Sequence, residues 1–437
     1  MADVAIAGAG LAGPLLAVYL ARRDHRVTLY ERRSDPRAVG AEGKSINLAL
    51  SVRGIDALER AGLAERVLAH ALPMRGRMMH DRDCTLAFQA YSADASKAIN
   101  SISRHGLNGL LLDAAEQQPG VTIHFEQRAV AVAAAEGELT LEGPSGPHTV
   151  THDIVIGADG AYSALRAAIV RERADVHQDH LSWGYKELTI AAREGAFALD
   201  PGALHIWPRG DSMMIALPNQ DRSFTATLFW PLDGPAGFAD LDDAVEVRAR
   251  FACDYPDAIA LFADLPGEFR RHPVGSMVTV KMWPWTLGRL ALLGDAAHAI
   301  VPFFGQGMNC AFEDVVELDR CLDESAEDWA VALPRYAARR KPHTDAIADL
   351  ALENFVEMRD KVASPVFRLG KRVEHAVERW APERFDSLYE LVSFSTVPYA
   401  EARRRAAAQR RFPHNVAAVA AAGAARLRAA AGRKDPS

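Results

Sequence analysis

The sequence predicts an α/β fold: a Rossmann-like parallel sheet with an inserted antiparallel sheet and a C-terminal helical segment. Apolar runs that end in glycine-rich turns occur at 4–7, 154–156 and 290–293, which is typical of buried parallel strands. Between the second and third runs, the stretch 184–281 contains short alternating or β-rich runs, which indicate antiparallel strands. From about Thr344 onward the apolar residues recur with a helical period, most clearly over 346–358.

Length, charge and cysteine usage define the broad class of the protein. A chain of 437 residues with 49% hydrophobic residues favours two or three units that share cores. The formal net charge of −7 and the lack of a long basic run argue against a nucleic-acid partner. Cys84, Cys253, Cys310 and Cys321 have no metal-ligand spacing, so we expect reduced thiols and no metal site.

The ends of the chain bear on its location. The N-terminus enters an apolar strand at once, without the architecture of a signal peptide. The alanine-rich stretch 416–425 is far shorter than the roughly 20 apolar residues that span a bilayer. The sequence therefore predicts a cytoplasmic protein without a transmembrane segment, and leaves open whether it is a monomer or a dimer.

The first apolar run opens a nucleotide-binding unit. It is followed by the glycine pattern GAGLAG at 8–13 and by an apolar helical stretch at 15–20. Gly8 allows a tight turn, Gly10 allows the backbone to approach a pyrophosphate, and Gly13 allows the helix to pack on the strand. The phosphate then lies at the N-terminus of the helix, which includes Leu11 and Ala12. Glu31 ends the next strand, where a carboxylate accepts hydrogen bonds from ribose hydroxyls.

Two later turns favour a flavin over a nicotinamide as the bound cofactor. Asp159 in the turn 157–160 and Asp295 in the turn 294–298 each follow a buried strand, where an aspartate can bind a ribityl chain. Downstream, Gly305 and Gly307 allow the backbone to lie against a flat ring. The helix 310–322 then directs its positive N-terminus towards the flavin pyrimidine. Glu31 argues against a 2′-phosphate in the first unit, which also favours FAD.

Four longer stretches carry a resemblance to a known family. They are KSINLALS at 44–51, WGYKELT at 183–189, LHIWPRG at 204–210 and VPFFGQGMN at 301–309. With the three turns, they resemble the group A flavin monooxygenases of the para-hydroxybenzoate hydroxylase type, and more narrowly the kynurenine 3-monooxygenase family. The resemblance extends to about Ala402. Lys44 stands where that family more often has arginine.

The motifs and the resemblance together predict the residues that bind FAD. Arg104 matches an arginine that contacts FAD in the family, and Arg32 and Arg33 lie near the adenosine end. The predicted set is Gly8, Gly10, Leu11, Ala12, Gly13, Glu31, Arg32, Arg33, Ala49, Arg104, Asp159, Asp295, Gly305, Gly307, Met308 and Asn309.

The resemblance also implies a substrate site. Arg77 and Tyr91 match the family's carboxylate-binding pair, and the planar fork of arginine suits a carboxylate. Near this pair, Cys84 replaces a usual glycine and Ala90 a usual proline. Asn354, Glu357 and Met358 share one helix face and match the family's helix that closes over the substrate. The resemblance places Asn354 and Tyr389 near the α-carboxylate, Glu357 near the polar end of the substrate, and the aromatic ring among Ile215, Leu217, Phe229, Pro302 and Phe303.

The domain organisation expected from these assignments is discontinuous. It comprises an FAD-binding domain at 1–75, 100–180 and 282–343, a substrate-binding sheet domain at 76–99 and 181–281, and a helical segment at 344–437 that closes the substrate site.

The reaction implied by the resemblance is 3-hydroxylation of L-kynurenine to 3-hydroxy-L-kynurenine. NADPH and O₂ are the co-substrates, and a flavin C4a-hydroperoxide transfers the oxygen. Because the ring amine already activates its ortho carbon, we predict no catalytic residue beyond the flavin and take His298 as structural. Two alternatives remain: a hydroxylase of a related ortho-aminoaryl amino acid, and a flavin-binding regulatory protein without turnover. A flavin-dependent halogenase is disfavoured because the sequence lacks a GWxWxIP word.

Overall fold

The computed structural model describes residues 1–38, 47–92, 94–172, 175–234, 237–241, 243–356 and 387–408. Lys44, Glu357, Met358 and the stretch 416–425 lie outside these residues. Within them, the predicted α/β fold with an inserted antiparallel sheet and C-terminal helices is confirmed.

The strands are β1 (Asp3–Ala7), β2 (Arg26–Tyr30), β3 (Asn47–Leu50), β4 (Leu72–Met74), β5 (Gly76–His80), β6 (Leu86–Ala90), β7 (Ile99–Ser103), β8 (Val121–His124), β9 (Arg128–Ala133), β10 (Glu138–Gly143), β11 (Gly146–Thr151), β12 (Ile154–Gly157), β13 (Asp175–Ile190), β14 (Ala203–Pro208), β15 (Met213–Pro218), β16 (Phe224–Pro231), β17 (Gly275–Trp283), β18 (Thr286–Leu287) and β19 (Leu290–Leu292).

The helices are α1 (Ala12–Ala21), α2 (Val52–Arg60), α3 (Ala64–Leu68), α4 (Arg104–Glu116), α5 (Arg166–Glu172), α6 (Ala244–Asp254), α7 (Leu265–Arg271), α8 (Asp295–His298), α9 (Gly307–Glu324), α10 (Trp329–Val356) and α11 (Leu388–Ser393). Short 3₁₀ turns occur at Phe238–Asp240, Ile259–Leu261 and Pro302–Phe304. Residues 399–408 are also helical. Among the described helices, none combines the length and the apolar character needed to cross a membrane.

The first sheet brings the three glycine-rich turns to one edge. Its order is β18-β19-β12-β1-β2-β8, and β1 pairs in parallel with both β12 and β2. Ala7 lies opposite Gly157, which in turn lies opposite Leu292 on β19. The carboxyl ends of these strands therefore meet, which is where open α/β sheets bind their ligands.

The second sheet is the inserted, mainly antiparallel sheet, and its order is β17-β13-β16-β15-β14-β5-β6. All its neighbours are antiparallel except β14 and β5, which pair in parallel. One face packs on α6 and α7 through a cluster that includes Trp207 and Trp230. Because side chains alternate along a strand, the opposite face presents Ile206 and Phe229. Smaller sheets have the orders β3-β7-β4 and β11-β10-β9.

Candidate active site

A cavity of about 340 Å³ is lined by both sheets and the C-terminal segment. Its lining includes many of the predicted cofactor residues: Gly10, Leu11, Ala12, Ala49, Arg104, Asp295, Gly305, Gly307 and Met308. It also includes many of the predicted substrate residues: Arg77, Tyr91, Ile215, Leu217, Phe229, Pro302, Phe303 and Tyr389. Other predicted residues lie outside this lining: Gly8, Gly13, Glu31, Arg32, Arg33, Asp159, Asn309 and Asn354. The fold thus brings residues that are far apart in the chain, such as Gly10 and Tyr389, to the wall of one cavity.

The glycines of the first turn have different physical roles. Gly8 has φ +105°, and a Cβ there would lie 2.3 Å from the carbonyl oxygen of Ala158. A Cβ on Gly13 would lie 2.1 Å from the carbonyl oxygen of Gly8. A Cβ on Gly10 would meet no protein atom within 4 Å. Gly8 and Gly13 are therefore required by packing, whereas Gly10 leaves open space in which a ligand can approach the backbone.

Two side chains shape this turn from outside the cavity. The amide of Asn108, on α4, donates hydrogen bonds to the carbonyl oxygens of Ala9 at 3.0 Å and Gly10 at 2.8 Å. Glu31 accepts from the backbone N–H of Ala9 at 2.9 Å and of Arg33 at 3.0 Å. Asn108 has no signal in the sequence, because a lone amide within a helix has no pattern that distinguishes it from a solvated residue.

The second turn retains an unsatisfied acceptor. One carboxylate oxygen of Asp159, Oδ2, accepts from the backbone N–H groups of Ala164 at 2.8 Å and Leu165 at 3.3 Å. The other, Oδ1, is buried without a hydrogen-bond partner among the described residues. Buried polar atoms are rarely left unpaired, so this oxygen suits a ligand hydroxyl.

The third turn lies close to the second. Arg166 joins them by donating to the carbonyl oxygens of Ala296 at 3.0 Å and Ala161 at 2.6 Å. Asp295 lines the cavity with an exposed side chain, and desolvation by the surrounding protein raises the pKa of its carboxyl. An acceptor in this place suits the hydroxyls of a ribityl chain.

The loop before α9 forms another part of the lining. Gly305 has φ +65°, and Gln306, which precedes α9, makes no side-chain capping hydrogen bond to the helix. The N-terminus of α9 thus adjoins the cavity at Gly307 and Met308, where its dipole favours negative charge. The amide of Asn309 donates to the carbonyls of Ala49 at 2.9 Å and Gly305 at 3.0 Å. Asn309 therefore holds the loop from behind.

Three side chains converge at the substrate end of the cavity. Arg77 is on β5, Tyr91 follows β6, and Tyr389 is on α11. The guanidinium carbon of Arg77 lies 4.5 Å from the ring centroid of Tyr389 and 5.7 Å from that of Tyr91. The two tyrosine rings stack with centroids 5.1 Å apart. Burial raises the pKa of both phenols, so each is a neutral hydrogen-bond donor at neutral pH.

The group formed by Arg77, Tyr91 and Tyr389 lacks described hydrogen-bond partners for some of its polar atoms, and its positive charge has no described carboxylate partner. Nε of Arg77 and the hydroxyl of Tyr91 are buried without hydrogen-bond partners among the described residues. Arg77 also forms no ion pair with a described carboxylate, and the titratable groups that interact with it most are the neutral hydroxyls of Tyr389 and Tyr91. A buried cation normally has an anionic partner, so this arrangement suits an anionic ligand.

The remaining wall of the cavity is apolar. The rings of Phe229 and Phe303 lie with centroids 5.2 Å apart, and Phe303 stacks on Phe355 at 4.4 Å. Ile215 and Leu217 are two residues apart on β15, so both side chains lie on the face of the strand that lines the cavity. Such a wall suits an aromatic ring.

Asn354 contacts this wall from behind. Its amide donates to the carbonyl oxygen of Phe303 at 2.6 Å. Asn354 therefore holds the backbone of Phe303, a contact that the sequence did not predict. The other two members of its predicted helix face, Glu357 and Met358, lie outside the described residues.

Comparison with known proteins reveals the family. Residues 1–351 match the family described as FAD binding domain. The chain is 49% identical to the kynurenine 3-monooxygenase of Myxococcus xanthus, over 91% of this chain and 86% of that protein. It is 42% identical to the kynurenine 3-monooxygenase of Dictyostelium discoideum, over 92% of this chain and 90% of that protein. The chain belongs to the kynurenine 3-monooxygenase family.

Solved structures agree on the fold of this family member. 2-Methyl-3-hydroxypyridine-5-carboxylic acid oxygenase is similar with a TM-score of 0.67 and 23% identity, over 83% of this chain and 94% of that chain. PqsL of P. aeruginosa has a TM-score of 0.67 and 24% identity, over 82% of this chain and 97% of that chain. The family membership establishes an FAD-dependent aromatic monooxygenase.

This member of the kynurenine 3-monooxygenase family also has a partly buried acid next to the cavity lining, to which the sequence assigned no role. Glu187 alternates on β13 with Tyr185 and pairs across the sheet with Thr227, and both of these residues line the cavity. Burial raises the pKa of Glu187 to about 7, although Arg104 acts in the opposite direction. The only signal in the sequence was an acid on the inward face of an otherwise β-rich run.

His298 is part of a buried ion network. Its Nε2 lies 2.5 Å from Oδ2 of Asp314, which also accepts from the backbone N–H of Gly294. Burial by itself lowers the pKa of His298, but the Asp314 carboxylate raises it to about 10. A protonated imidazole that is paired in this way is a poor general base, so the structural role of His298 remains our prediction.

Proposed function

We propose that this chain uses FAD, NADPH and O₂ to hydroxylate L-kynurenine at ring carbon 3, forming 3-hydroxy-L-kynurenine. The observation that carries this proposal is Arg77, a partly buried cation on the cavity wall that has no described anionic partner and whose Nε is buried without a described hydrogen-bond partner. The kynurenine 3-monooxygenases that match most of the chain support the choice of substrate.

The α-carboxylate of an amino acid supplies the missing anion. The planar guanidinium of Arg77 can donate two parallel hydrogen bonds to it, and the unpaired hydroxyl of Tyr91 can donate another. Tyr389 packs over the guanidinium and limits its orientation. Arg77 and Tyr91 thus bind and orient the polar end of the substrate, whereas Asn354 acts through the Phe303 backbone.

The aromatic ring of the substrate then lies against the apolar wall. Phe229, Phe303 and Leu217 are nearly fully buried, so they exclude water from the ring and hold it in place. The ring amine of kynurenine donates electrons to its ortho carbon. The protein therefore has to position that carbon and keep the site dry, without a strong base.

The residues present fit FAD. The open side of Gly10 suits the pyrophosphate, the free oxygen of Asp159 and the carboxyl of Asp295 suit hydroxyl groups, and Glu31 suits the adenosine ribose. The N-terminus of α9, at Gly307, stabilises negative charge on the ring system. When bound, FAD supplies the redox chemistry that accepts electrons from NADPH and delivers oxygen to the substrate.

We further propose that three units of the chain divide cofactor binding and substrate binding between them. Residues 1–75, 100–180 and 282–343 hold the cofactor, residues 76–99 and 181–281 form the substrate wall, and residues 344–437 close it.

The decisive experiment measures NADPH oxidation with and without L-kynurenine, together with the mass of the product. We expect L-kynurenine to accelerate oxidation and to gain one oxygen atom. Acceleration only by a ring-substituted kynurenine would reassign the substrate to a related ortho-aminoaryl amino acid. An oxidation rate that no such compound changes would refute the enzyme proposal and favour a regulatory flavoprotein.

A further inference from the structure

Arg53, a buried arginine outside the cavity lining, contacts the segment that carries Tyr389. It is on α2 and is only 1% exposed. Its guanidinium donates hydrogen bonds to main-chain carbonyl oxygens at the end of α11 and just beyond it, those of Leu391, Val392 and Val397. The last carbonyls of a helix have no partner within the helix, so Arg53 satisfies groups that would otherwise be buried and unpaired.

The same arginine also contacts α9, the helix that follows residues 299–306, which we call the cofactor loop. Its Nη1 forms an ion pair with Glu313 on α9 at 2.5 Å. Ser51, which precedes α2, donates its backbone N–H to the side chain of Asn309 on the first turn of α9. Asn309 also holds the carbonyl of Gly305. Arg53 therefore lies between the cofactor loop and the C-terminal segment.

A second contact joins the same two parts directly. The hydroxyl of Tyr399 donates a hydrogen bond to Oε1 of Gln306 at 3.0 Å. Both residues are almost completely buried, and Gln306 stands between the two cavity-lining glycines of the loop, Gly305 and Gly307. The guanidinium carbon of Arg53 lies 3.9 Å from the ring centroid of Tyr399. The segment 388–399 is thus attached to the cofactor loop directly through Tyr399, and to α9, the helix that follows the loop, through Arg53.

These attachments act on Tyr389 together with the apolar packing of Leu391 and Val392 against α10. Tyr389 is two residues before Leu391, and its ring packs against Arg77. The segment also has an ion pair between Lys97 and Glu390, but Lys97 is partly exposed and such pairs contribute little. A change at Arg53 or Tyr399 should therefore move the ring that orients the carboxylate-binding arginine.

We propose that Arg53 and Tyr399 are positioning residues that couple the cofactor loop to the carboxylate clamp formed by Arg77, Tyr91 and Tyr389. The proposal rests on the proposed function, because it takes Tyr389 as part of that clamp. Bound FAD would contact the loop that contains Gln306, and a bound carboxylate would contact Tyr389, because the loop glycines and Tyr389 line the same cavity. Because both ligands would contact one connected unit, each favours the binding of the other.

The first test compares two ligands on the FAD-loaded protein by calorimetry. They are L-kynurenine and 2-aminoacetophenone, which has the same aminoaryl ketone but no carboxylate. The variants are Arg53→Met and Tyr399→Phe, and the control is Arg60→Met, an exposed arginine on the same helix. We expect the Kd of L-kynurenine to rise about tenfold in both variants, while that of 2-aminoacetophenone changes by less than about twofold.

An equal loss of affinity for both ligands would overturn the proposal, because a general structural defect would not distinguish the carboxylate. Unchanged affinity for L-kynurenine in both variants would also overturn it. Tyr399→Phe removes one oxygen atom and keeps the ring under Arg53, so it provides the answer even if Arg53→Met does not fold.

The second test measures hydrogen exchange across residues 388–399 with and without FAD. We expect FAD to slow exchange there in the wild-type chain and to have a smaller effect in Tyr399→Phe. The same effect in both proteins would contradict the coupling. A wild-type chain that does not bind L-kynurenine would refute the proposed function, whereas this exchange experiment would still decide whether the loop and the segment are coupled.

Discussion

Buried positive charges have opposite surroundings in the two halves of the site. Behind the cofactor loop, Arg340 lies 2.7 Å from Asp314 and 3.1 Å from Glu313, and His298 lies 2.5 Å from Asp314. On the substrate side, Arg77 has no ion pair with a described carboxylate. We infer that a charge neutralised within the protein maintains the fold, whereas Arg77, which has no described anionic partner, binds an anionic ligand. The comparison thus separates structural ions from a binding group.

The largest expected effect is on the neutralised side. Asp314→Asn leaves Arg340 and His298 without their shared carboxylate, so we expect the free energy of unfolding to fall by about 3–5 kcal/mol. Denaturant unfolding at neutral pH measures it. The control is Asp323→Asn, because Asp323 is 67% exposed in its ion pair with Arg23 and should contribute less than about 1 kcal/mol. Equal losses of unfolding free energy in the two variants would show that the buried Asp314 stabilises the fold no more than an exposed aspartate does.

In contrast to Asp314→Asn, Arg77→Met should weaken substrate binding without lowering the stability of the fold. Without its charge, the clamp loses its charge-assisted hydrogen bonds to the carboxylate, so we expect KM for L-kynurenine to rise about 100-fold. Because the lost charge has no described partner, the melting temperature should stay the same or rise. Arg75→Met, two residues earlier and exposed, is the matched control. A large loss of stability in Arg77→Met would show that Arg77 has a structural partner.

The His298–Asp314 pair should make stability depend on pH. Since the pKa of His298 is raised from 6.5 to about 10, its contribution is complete below pH 6.5 and is lost as the pH rises through about 10. In that window the folded state holds one more proton, which gives a slope of at most about 1.4 kcal/mol per pH unit. His298→Gln should flatten the decline in unfolding free energy between pH 7 and 9. His148→Gln, at an exposed histidine, should leave it intact.

The smallest effect concerns the glycine turn. Gly10→Ala adds a Cβ that meets no protein atom within 4 Å, so the apoprotein should fold normally. Its FAD Kd should nevertheless rise about tenfold or more, because the methyl group occupies the space of the pyrophosphate. Gly13→Ala, whose Cβ would lie 2.1 Å from a carbonyl oxygen, should lower stability as well. Normal FAD affinity in Gly10→Ala would show that the cofactor does not approach this side.

The sequence predicted the cofactor half better than the substrate half. A strand, a glycine turn and a helix are contiguous in the chain, so GAGLAG and its two later counterparts could be assigned from neighbouring residues alone. Asn108 was missed because its partners, Ala9 and Gly10, are about 100 residues away. Glu187 received no role because its significance depends on the neighbouring strand.

The substrate residues depended on family resemblance, since nothing local distinguishes Arg77 from a surface cation. The structure adds that Arg77, Tyr91 and Tyr389 meet on the cavity wall without an anionic partner among the described residues. The predicted contact of Asn354 with the substrate remains a prediction, and the structure gives its amide to Phe303.

By itself, the sequence predicted the α/β architecture and the flavin cofactor, because these depend on short-range patterns of apolar residues and glycines, and its longer motifs carried the resemblance to the family. Only the tertiary structure decided which charged side chains have a partner of opposite charge among the described residues. It also decided that Arg53 and Tyr399 attach the Tyr389 segment to the cofactor loop. Burial and charge pairing depend on distances between residues far apart in the chain, and those distances exist only after the chain has folded.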